Sequence, residues 1–295
     1  MAVTAGDIGK NVRASGRKTE EVLRTVVNEE VMARLAASKF GPVLWLTSYV
    51  AKDGNYGKRL SYFYRRDSKV LRADGFAPGQ DLNAPGFALS FLSYIKVLMA
   101  PDFIVEEKSL ALHKGRLTAE LSVSIEAMHT PLILTFVENA EDIFPEKTEF
   151  TPRFGGKTVE LFTYPFENIC ADDYGDILAR LEFMNDLSPF EEIYSIITAN
   201  ACDGTGFLVR LRASCEQRNV PFTASRLEKF RELAENKALI KKWDKRQKKA
   251  SGTPVAWPDL IGTLYAFLSP VWEAILEEKV FFGDWMPELS RYLDG

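Results

Sequence analysis

The chain has 295 residues, 46% hydrophobic and 26% charged, which is typical of a folded globular protein with one large core or two ordinary ones. Its net charge of −4 excludes a general electrostatic attraction to nucleic acid, so such binding would need a local basic patch. Three cysteines without a close pair, Cys170, Cys202 and Cys215, predict reduced thiols and a cytoplasmic location. No apolar run approaches the ~20 residues of a membrane span, so no membrane partner is expected.

The first half of the chain is predicted to be mostly strands. Residues 1–18 are polar and glycine-containing and predict a flexible arm. A helix is expected from Thr19 to about Gly41, because its apolar positions fall on one face. Strands, a buried helix over 87–99 and a strictly alternating strand follow, whereas 138–156 resembles a loop. We therefore expect a sheet of about five strands with helices against it, in a domain covering 19–157.

The second half, 158–295, is predicted to be a helical bundle. One helix carries the acids Asp172, Asp173 and Asp176, and a second helix is expected to begin at Ser188 with a capping box formed by Ser188 and Glu191. The three acids could hold a hard cation, or they could be solvated and favoured by the helix dipole. The two histidines lack zinc-ligand spacing, so no metal site is assigned. The predicted fold class is thus α+β, with an N-terminal mixed sheet and flanking helices and a C-terminal helical bundle.

Several segments of the second half carry a resemblance to a known family. The sequences are YPFENICADDYGDILARL, SPFEEIY, RLRASCEQRNVPF, and KKWDKRQKK followed by FLSPVWEAI. In the first half, EEVMARLAASKFG and PLILTFVENAEDIFP are also similar. In this order they resemble the AbiEii-type nucleotidyltransferases, the toxin halves of bacterial abortive-infection toxin–antitoxin pairs. The resemblance implies a nucleotidyltransferase-like sheet and a role in phage defence.

The resemblance also implies where an active site would lie, and the chain departs from the family pattern at each of its elements. The family needs a Gly-Gly-Ser/Thr turn for the triphosphate, carboxylates for Mg²⁺ and a cation near the phosphates. Thr47 and Ser48 stand at the turn. Matching Arg59-Leu60-Ser61 to the family's Arg-x-Ser places Phe63 and Arg65 at the paired aspartates. In a looser register the two positions hold Asp67 and Lys69.

The third aspartate of the family corresponds to Thr135, and its phosphate-binding lysine corresponds to Asp173. If Arg65 stands at a metal-carboxylate position and Asp173 at the lysine position, the charges of the site have been exchanged and the two could pair. The candidate nucleotide-binding residues implied by the resemblance are Thr47, Ser48, Arg59, Ser61, Arg65 and Lys69. The candidate catalytic residues are Asp67 and Asp173.

Two functional classes follow from this pattern. In one, the protein is a catalytically degenerate member, a pseudoenzyme that binds a cognate antitoxin or another macromolecule. In the other, it is an active toxin that uses an NTP and Mg²⁺ to modify tRNA or a protein acceptor through Asp67 and Asp173. The loss of several elements that one reaction requires favours the first class.

A basic run, KKWDKRQKK, occupies residues 241–249. It could track the backbone of a tRNA with Trp243 as a stacking platform, so that Lys241, Lys242, Trp243, Lys245 and Arg246 would contact nucleic acid. Alternatively, it is a solvated helical face with Trp243 as its anchor in the core, and the pattern favours this second interpretation.

Overall fold

The computed structural model describes residues 4–48, 58–66, 77–113, 115–139, 145–248 and 254–293. The chain divides into two compact units, Met1–Tyr164 and Pro165–Gly295. The first is a mixed sheet with helices and the second is built mainly of helices, which confirms the predicted α+β fold class.

The first unit contains three helices and seven strands within the described residues. The helices are α1 (Ala5–Ser15), α2 (Thr19–Ala36) and α3 (Phe87–Met99). The strands are β1 (Leu44–Leu46), β2 (Arg59–Arg65), β3 (Ile104–His113), β4 (Arg116–Ile125), β5 (Met128–Asn139), β6 (Glu146–Phe150) and β7 (Val159–Thr163).

The seven strands form one mixed sheet in the order β3-β4-β5-β2-β1-β7-β6. The β2–β5 and β1–β7 pairs are parallel, and the other neighbours are antiparallel. Residues of β4 alternate along the strand, so that Leu117, Ala119, Leu121, Val123 and Ile125 are buried on one face. This face joins the core of helices α2 and α3, where the ring of Phe91 meets that of Phe136 at a centroid distance of 4.8 Å.

Three predictions for the first unit were wrong. The sheet has seven strands instead of about five. Part of the expected flexible arm is the helix α1, because Thr4 and Asp7 form a capping box and Ile8 is fully buried in the core. The segment 138–156, expected to be a loop, contains β6, an edge strand whose polar residues pair with β7. A strand at the edge of a sheet can be polar at most positions, so the alternation of apolar residues does not predict it.

The second unit is built from six helices and three short strands within its described residues. The helices are α4 (Phe166–Arg180), α5 (Ser188–Ala199), α6 (Gly204–Gln217), α7 (Ala224–Glu232), α8 (Lys237–Gln247) and α9 (Trp257–Leu276). The strands β8 (Cys202–Asp203), β9 (Asp284–Met286) and β10 (Arg291–Leu293) form a small sheet.

Helix α9 is the core helix of the second unit. The sequence suggests two helices separated by Pro270, but one helix runs through this proline, which removes a single backbone donor. Among the described helices, α9 alone is long and apolar enough to cross a membrane by length and composition, and half of its apolar window is buried inside the protein. Tyr174 donates a hydrogen bond to the Leu264 carbonyl at 2.9 Å, and Phe267 packs against Trp285. These contacts account for its apolar composition.

Candidate functional site

Strands β2 and β5 bring together the positions at which the family resemblance places metal-binding carboxylates. Ser61 pairs with Thr135 in the parallel register, and Phe63 pairs with Val137 two residues further on. Thr118 of β4 is in register with Thr135 on its other side. Ser61, Thr135 and Thr118 therefore form a row of hydroxyl side chains across three strands, which we call the hydroxyl row. It lies on the face of the sheet opposite the core of α2 and α3.

Two of the three positions at which the resemblance places aspartates, Phe63 and Thr135, therefore lie next to Ser61, and neither carries a carboxylate. Phe63 and Arg65 follow Ser61 on the same face of β2, because side chains two residues apart on a strand point the same way. Among the described strands around the hydroxyl row, the nearest acid on the same face is Glu120 of β4. It is exposed and in register with Ile133. The described residues contain no group of three His, Cys, Asp or Glu side chains that could hold a metal ion.

Phe63 contributes an aromatic surface in place of a carboxylate. Its ring meets that of Tyr164 edge-on at a centroid distance of 4.9 Å, and Phe63 pairs with Trp45 across β1. Trp45 in turn is in register with Phe162 of β7. This part of the face is apolar and aromatic, whereas a magnesium ion requires oxygen ligands.

Thr47 and Ser48 lie directly beside Ser61, and both contacts are structural. The Thr47 N–H donates to the Ser61 carbonyl at 2.8 Å, and the Ser61 N–H donates to Ser48 Oγ at 2.9 Å. Ser48 therefore uses its hydroxyl to satisfy a backbone donor of β2. This arrangement differs from a glycine turn, in which free backbone N–H groups face a triphosphate.

The cations of β2 lie at its two ends. Arg59 and Arg65 are both exposed, and their Cα atoms are about 20 Å apart, because six steps along a strand separate them. Asp67 and Lys69, the alternatives in the looser register, lie outside the described residues. Of the candidates in the first unit, the structure therefore brings together Thr47, Ser48 and Ser61, and it separates the two arginines.

The acidic stretch of the second unit is an ion-pair interface between α4 and α6. Asp172 accepts hydrogen bonds from Arg210 Nη2 at 3.0 Å to each carboxylate oxygen. Asp176 accepts from Arg218 Nε at 2.6 Å, and Arg218 also donates to Ser214 Oγ at 2.8 Å. Neither acid is simply solvated, and neither is free for a cation, so both interpretations made from the sequence are replaced by helix-to-helix pairing.

Asp173 has a different environment from its two neighbours. Its Oδ2 atom is buried without a hydrogen-bond partner among the described residues. Burial raises the pKa of Asp173 well above its usual range, and the neighbouring carboxylates of Glu192, Asp176 and Asp172 raise it further, against an opposing effect of Arg218. Asp173 is therefore a carboxyl group that favours its protonated form, which is the reverse of a phosphate-binding lysine. Its pairing with Arg65, which belongs to the other unit, stays a prediction.

The capping box predicted at Ser188 is absent from α5. Leu187 is the N-cap, and Ser188 donates its hydroxyl hydrogen to Asp186 Oδ1 at 2.7 Å. Glu191 accepts a hydrogen bond from Arg246 Nε of α8 at 2.9 Å. The carboxylate is thus used in a contact between helices, which local sequence alone does not reveal.

The basic run 241–249 has two structurally distinct sides on α8. Trp243 is 2% exposed, donates from Nε1 to the Val255 carbonyl at 2.8 Å and packs against Trp257. Lys242 donates to the Met184 carbonyl, and Arg246 pairs with Glu191. Lys241 and Lys245 are exposed. The structure therefore supports the interpretation of Trp243 as a core anchor and removes it as a stacking platform.

The sequence analysis missed Arg210 and Ser214 of α6 and Arg218, the C-cap of that helix. A signal for them was present, because the three residues are spaced four apart, as are Asp172 and Asp176 on α4. Gly175, between the two acids, allows the helices to approach, since an added Cβ would lie 2.4 Å from Ser214 Oγ. Matching charge spacings on two helices would have predicted the interface.

Comparisons with known proteins yield similarity only at the level of three-dimensional structure. No model of a known protein family matches the chain, and no curated protein matches it. JHP933 from Helicobacter pylori is similar with a TM-score of 0.49 and 8% identity, covering 88% of this chain and 95% of that one. A protein provisionally described as a nucleotidyltransferase from H. pylori is similar with a TM-score of 0.46 and 8% identity, covering 89% and 99%. Similarity at this level defines neither a family nor an activity.

Proposed function

We propose that this protein has a nucleotidyltransferase-type fold of the AbiEii toxin kind, has lost nucleotidyl transfer, and acts by binding a macromolecular partner. The observation that carries the proposal is that Phe63 and Thr135 lie next to Ser61, at positions where the family resemblance would require carboxylates. The described residues of this face offer no carboxylate pair, so a divalent ion that would neutralise the charge on a transferred phosphoryl group finds no set of ligands among them.

The groups present on this face favour binding over transfer. The hydroxyls of Ser61 and Thr118 and the ring of Phe63 are partly exposed, so they can form hydrogen bonds and an apolar contact with a nucleotide or peptide. Trp45 and Tyr164 are already buried and support the Phe63 ring. Neither can replace Mg²⁺ at a triphosphate. We therefore infer that any nucleotide bound at this face is bound without a required metal ion, and that the protein acts as a regulatory or partner-binding member of a toxin–antitoxin or phage-defence system.

The proposed partner is a cognate antitoxin or another macromolecule, and the proposed location is the cytoplasm. The three cysteines, Cys170, Cys202 and Cys215, are buried free thiols, which supports a reducing compartment. Burial raises the pKa of each thiol, so none of them is activated as a nucleophile.

A labelling experiment tests the proposal directly. The purified protein is incubated with each of the four labelled NTPs, with Mg²⁺ or Mn²⁺, and with total tRNA, and label is followed in RNA and in protein. We expect no transfer to either acceptor. The variant Asp67→Ala serves as the matched control, because Asp67 is the acid that an active enzyme would use. Transfer by the wild-type protein that Asp67→Ala abolishes would establish the active-toxin alternative.

A binding measurement distinguishes a site that binds nucleotide without a metal ion from a site that no longer binds nucleotide. Calorimetric titration with a nonhydrolysable NTP analogue is performed with and without Mg²⁺. We expect any affinity for the nucleotide to be unchanged by the ion, because the described face offers no carboxylate pair to hold it. Nucleotide binding that strengthens strongly with Mg²⁺ would refute this.

A further inference from the structure

Four lysines form a continuous ladder along one face of α8 and its C-cap. Lys237, Lys241, Lys245 and Lys248 are exposed and spaced four, four and three residues apart, so each lies about one helical turn from the next. We call these four residues the lysine ladder; its Cα atoms span about 16 Å along the helix axis. The opposite side of α8 is apolar and buried through Leu239 and Trp243. Because Leu239 and Trp243 are buried, the lysine ladder faces solvent.

None of the ladder lysines has an ion-pair partner among the described residues, whereas the other two cations of α8 are both held by contacts with neighbouring elements. Lys242 donates to the Met184 carbonyl at 3.2 Å, and Arg246 pairs with Glu191, so these two hold the helix in place. Asp244 is exposed on the same helix, at the flank of the ladder. One acid beside four lysines leaves this face positive on a chain whose net charge is −4.

Helix stability alone does not explain the ladder. Lys245 and Lys248 lie at the C-terminal end of α8, where the helix dipole favours a positive charge. Lys237 is the first residue of the helix, where the same dipole disfavours one. The Asn236 side chain already caps that end by accepting from the N–H groups of Ala238 and Leu239. A cation at Lys237 therefore fits a role for the whole face better than a role in the helix.

We propose that the lysine ladder binds the phosphate backbone of nucleic acid. A regular row of ammonium groups matches a polymer with one negative charge per nucleotide. The ladder offers no aromatic ring, because Trp243 is on the buried side, so binding has no stacking component and no base preference. A membrane surface is disfavoured, since the apolar side of α8 is buried in the protein and cannot insert into lipid. This proposal does not depend on the sheet face of the first unit.

Fluorescence anisotropy with a labelled 20-nucleotide single strand, as RNA and as DNA of the same sequence, tests the ladder. We expect micromolar affinity at 50 mM KCl, of the order found for non-specific binding, and a log–log salt slope of about −3 for four contacts on a single strand. The variant Lys237→Gln/Lys241→Gln/Lys245→Gln should reduce the slope to about −1 and weaken binding at least ~10-fold at 50 mM KCl. RNA and DNA should respond alike, because the sugar is not contacted.

A second triple variant provides the control for net charge. Lys10→Gln/Lys108→Gln/Lys157→Gln removes three exposed positive charges from the first unit and leaves the ladder intact. It should retain the wild-type affinity and slope, and circular dichroism should show both triple variants folded. The proposal is overturned if the wild-type protein does not bind at 50 mM KCl, if the ladder variant keeps the wild-type slope, or if the control loses as much affinity as the ladder variant.

Discussion

Gly175 on α4 lies against Ser214 on α6 so closely that a Cβ at Gly175 would be 2.4 Å from Ser214 Oγ and 3.1 Å from Arg218 Cδ. This approach places Asp172 within 3.0 Å of Arg210 and Asp176 within 2.6 Å of Arg218. The acidic stretch that stands out in the sequence is therefore one side of a helix interface, in which a glycine sets the spacing and charge pairs set the register.

Substitution of Gly175 by alanine should destabilise the protein. Alanine favours a helix by up to ~1 kcal/mol over glycine, but the overpacked Cβ should cost more, with a net loss of about 1–2 kcal/mol in the free energy of unfolding. Urea denaturation measures the change. Gly262→Ala on α9 is the matched control, because its added Cβ meets no atom within 4 Å beyond the adjoining backbone of its own helix, and it should be stabilising.

A double variant identifies Ser214 as the source of the clash. Gly175→Ala/Ser214→Ala removes the oxygen nearest to the added Cβ, so its loss of stability should be smaller than the sum of the two single losses. Strict additivity would show that the helices separate for another reason.

Asp173→Asn should stabilise the protein, and the gain should depend on pH. Folding raises the pKa of Asp173, so the folded protein favours the protonated carboxyl. The contribution of Asp173 to stability is therefore complete below the pKa of the unfolded chain, about 3.9, and is lost as the pH rises through the higher pKa of the folded protein. Asparagine carries no charge at any of these pH values. Thermal melts at pH 4 and pH 8 should show a rise in Tm that is larger at pH 8.

Substitution of the neighbouring acid, Asp172, should have the opposite effect on Tm. Asp172→Asn removes the carboxylate that Arg210 contacts, so it should lower Tm at pH 8. An equal effect of the two substitutions would contradict the distinction on α4 between a carboxylate paired with arginine and a buried carboxyl surrounded by other acids.

Ser48→Ala should reveal a structural hydroxyl. The Ser61 N–H loses its acceptor, which should cost about 0.5–1.5 kcal/mol in the free energy of unfolding, whereas Ser48→Thr retains an acceptor and should cost less. Urea denaturation compares the two variants. If Ser48 served only a nucleotide, nucleotide affinity would fall while stability stayed unchanged.

Trp243→Phe should lower stability without weakening nucleic-acid binding. The variant loses the hydrogen bond to the Val255 carbonyl and part of the packing on Trp257, at a cost of about 2–3 kcal/mol. Anisotropy measured well below its Tm should give the wild-type affinity. A tenfold or greater loss of affinity by the folded variant would indicate that Trp243 stacks on a base after all.

The sequence by itself determined the elements whose signal is local. The apolar run 87–99 predicted α3, which spans Phe87–Met99, and alternation along β4 predicted its buried face. The shift from strands to helices also predicted the α+β class. These features follow from the periods of the helix and the strand, which depend only on residues a few positions apart in the sequence.

Only the tertiary structure decided the roles of the polar residues. Asp172 and Asp176 find their arginines 38 and 42 positions along the chain, and Glu191 pairs with Arg246 instead of capping its own helix. Trp243 is buried although cations surround it in sequence. Charged and polar side chains gain or lose their function through partners that packing supplies, and no local period encodes which distant segment will supply them.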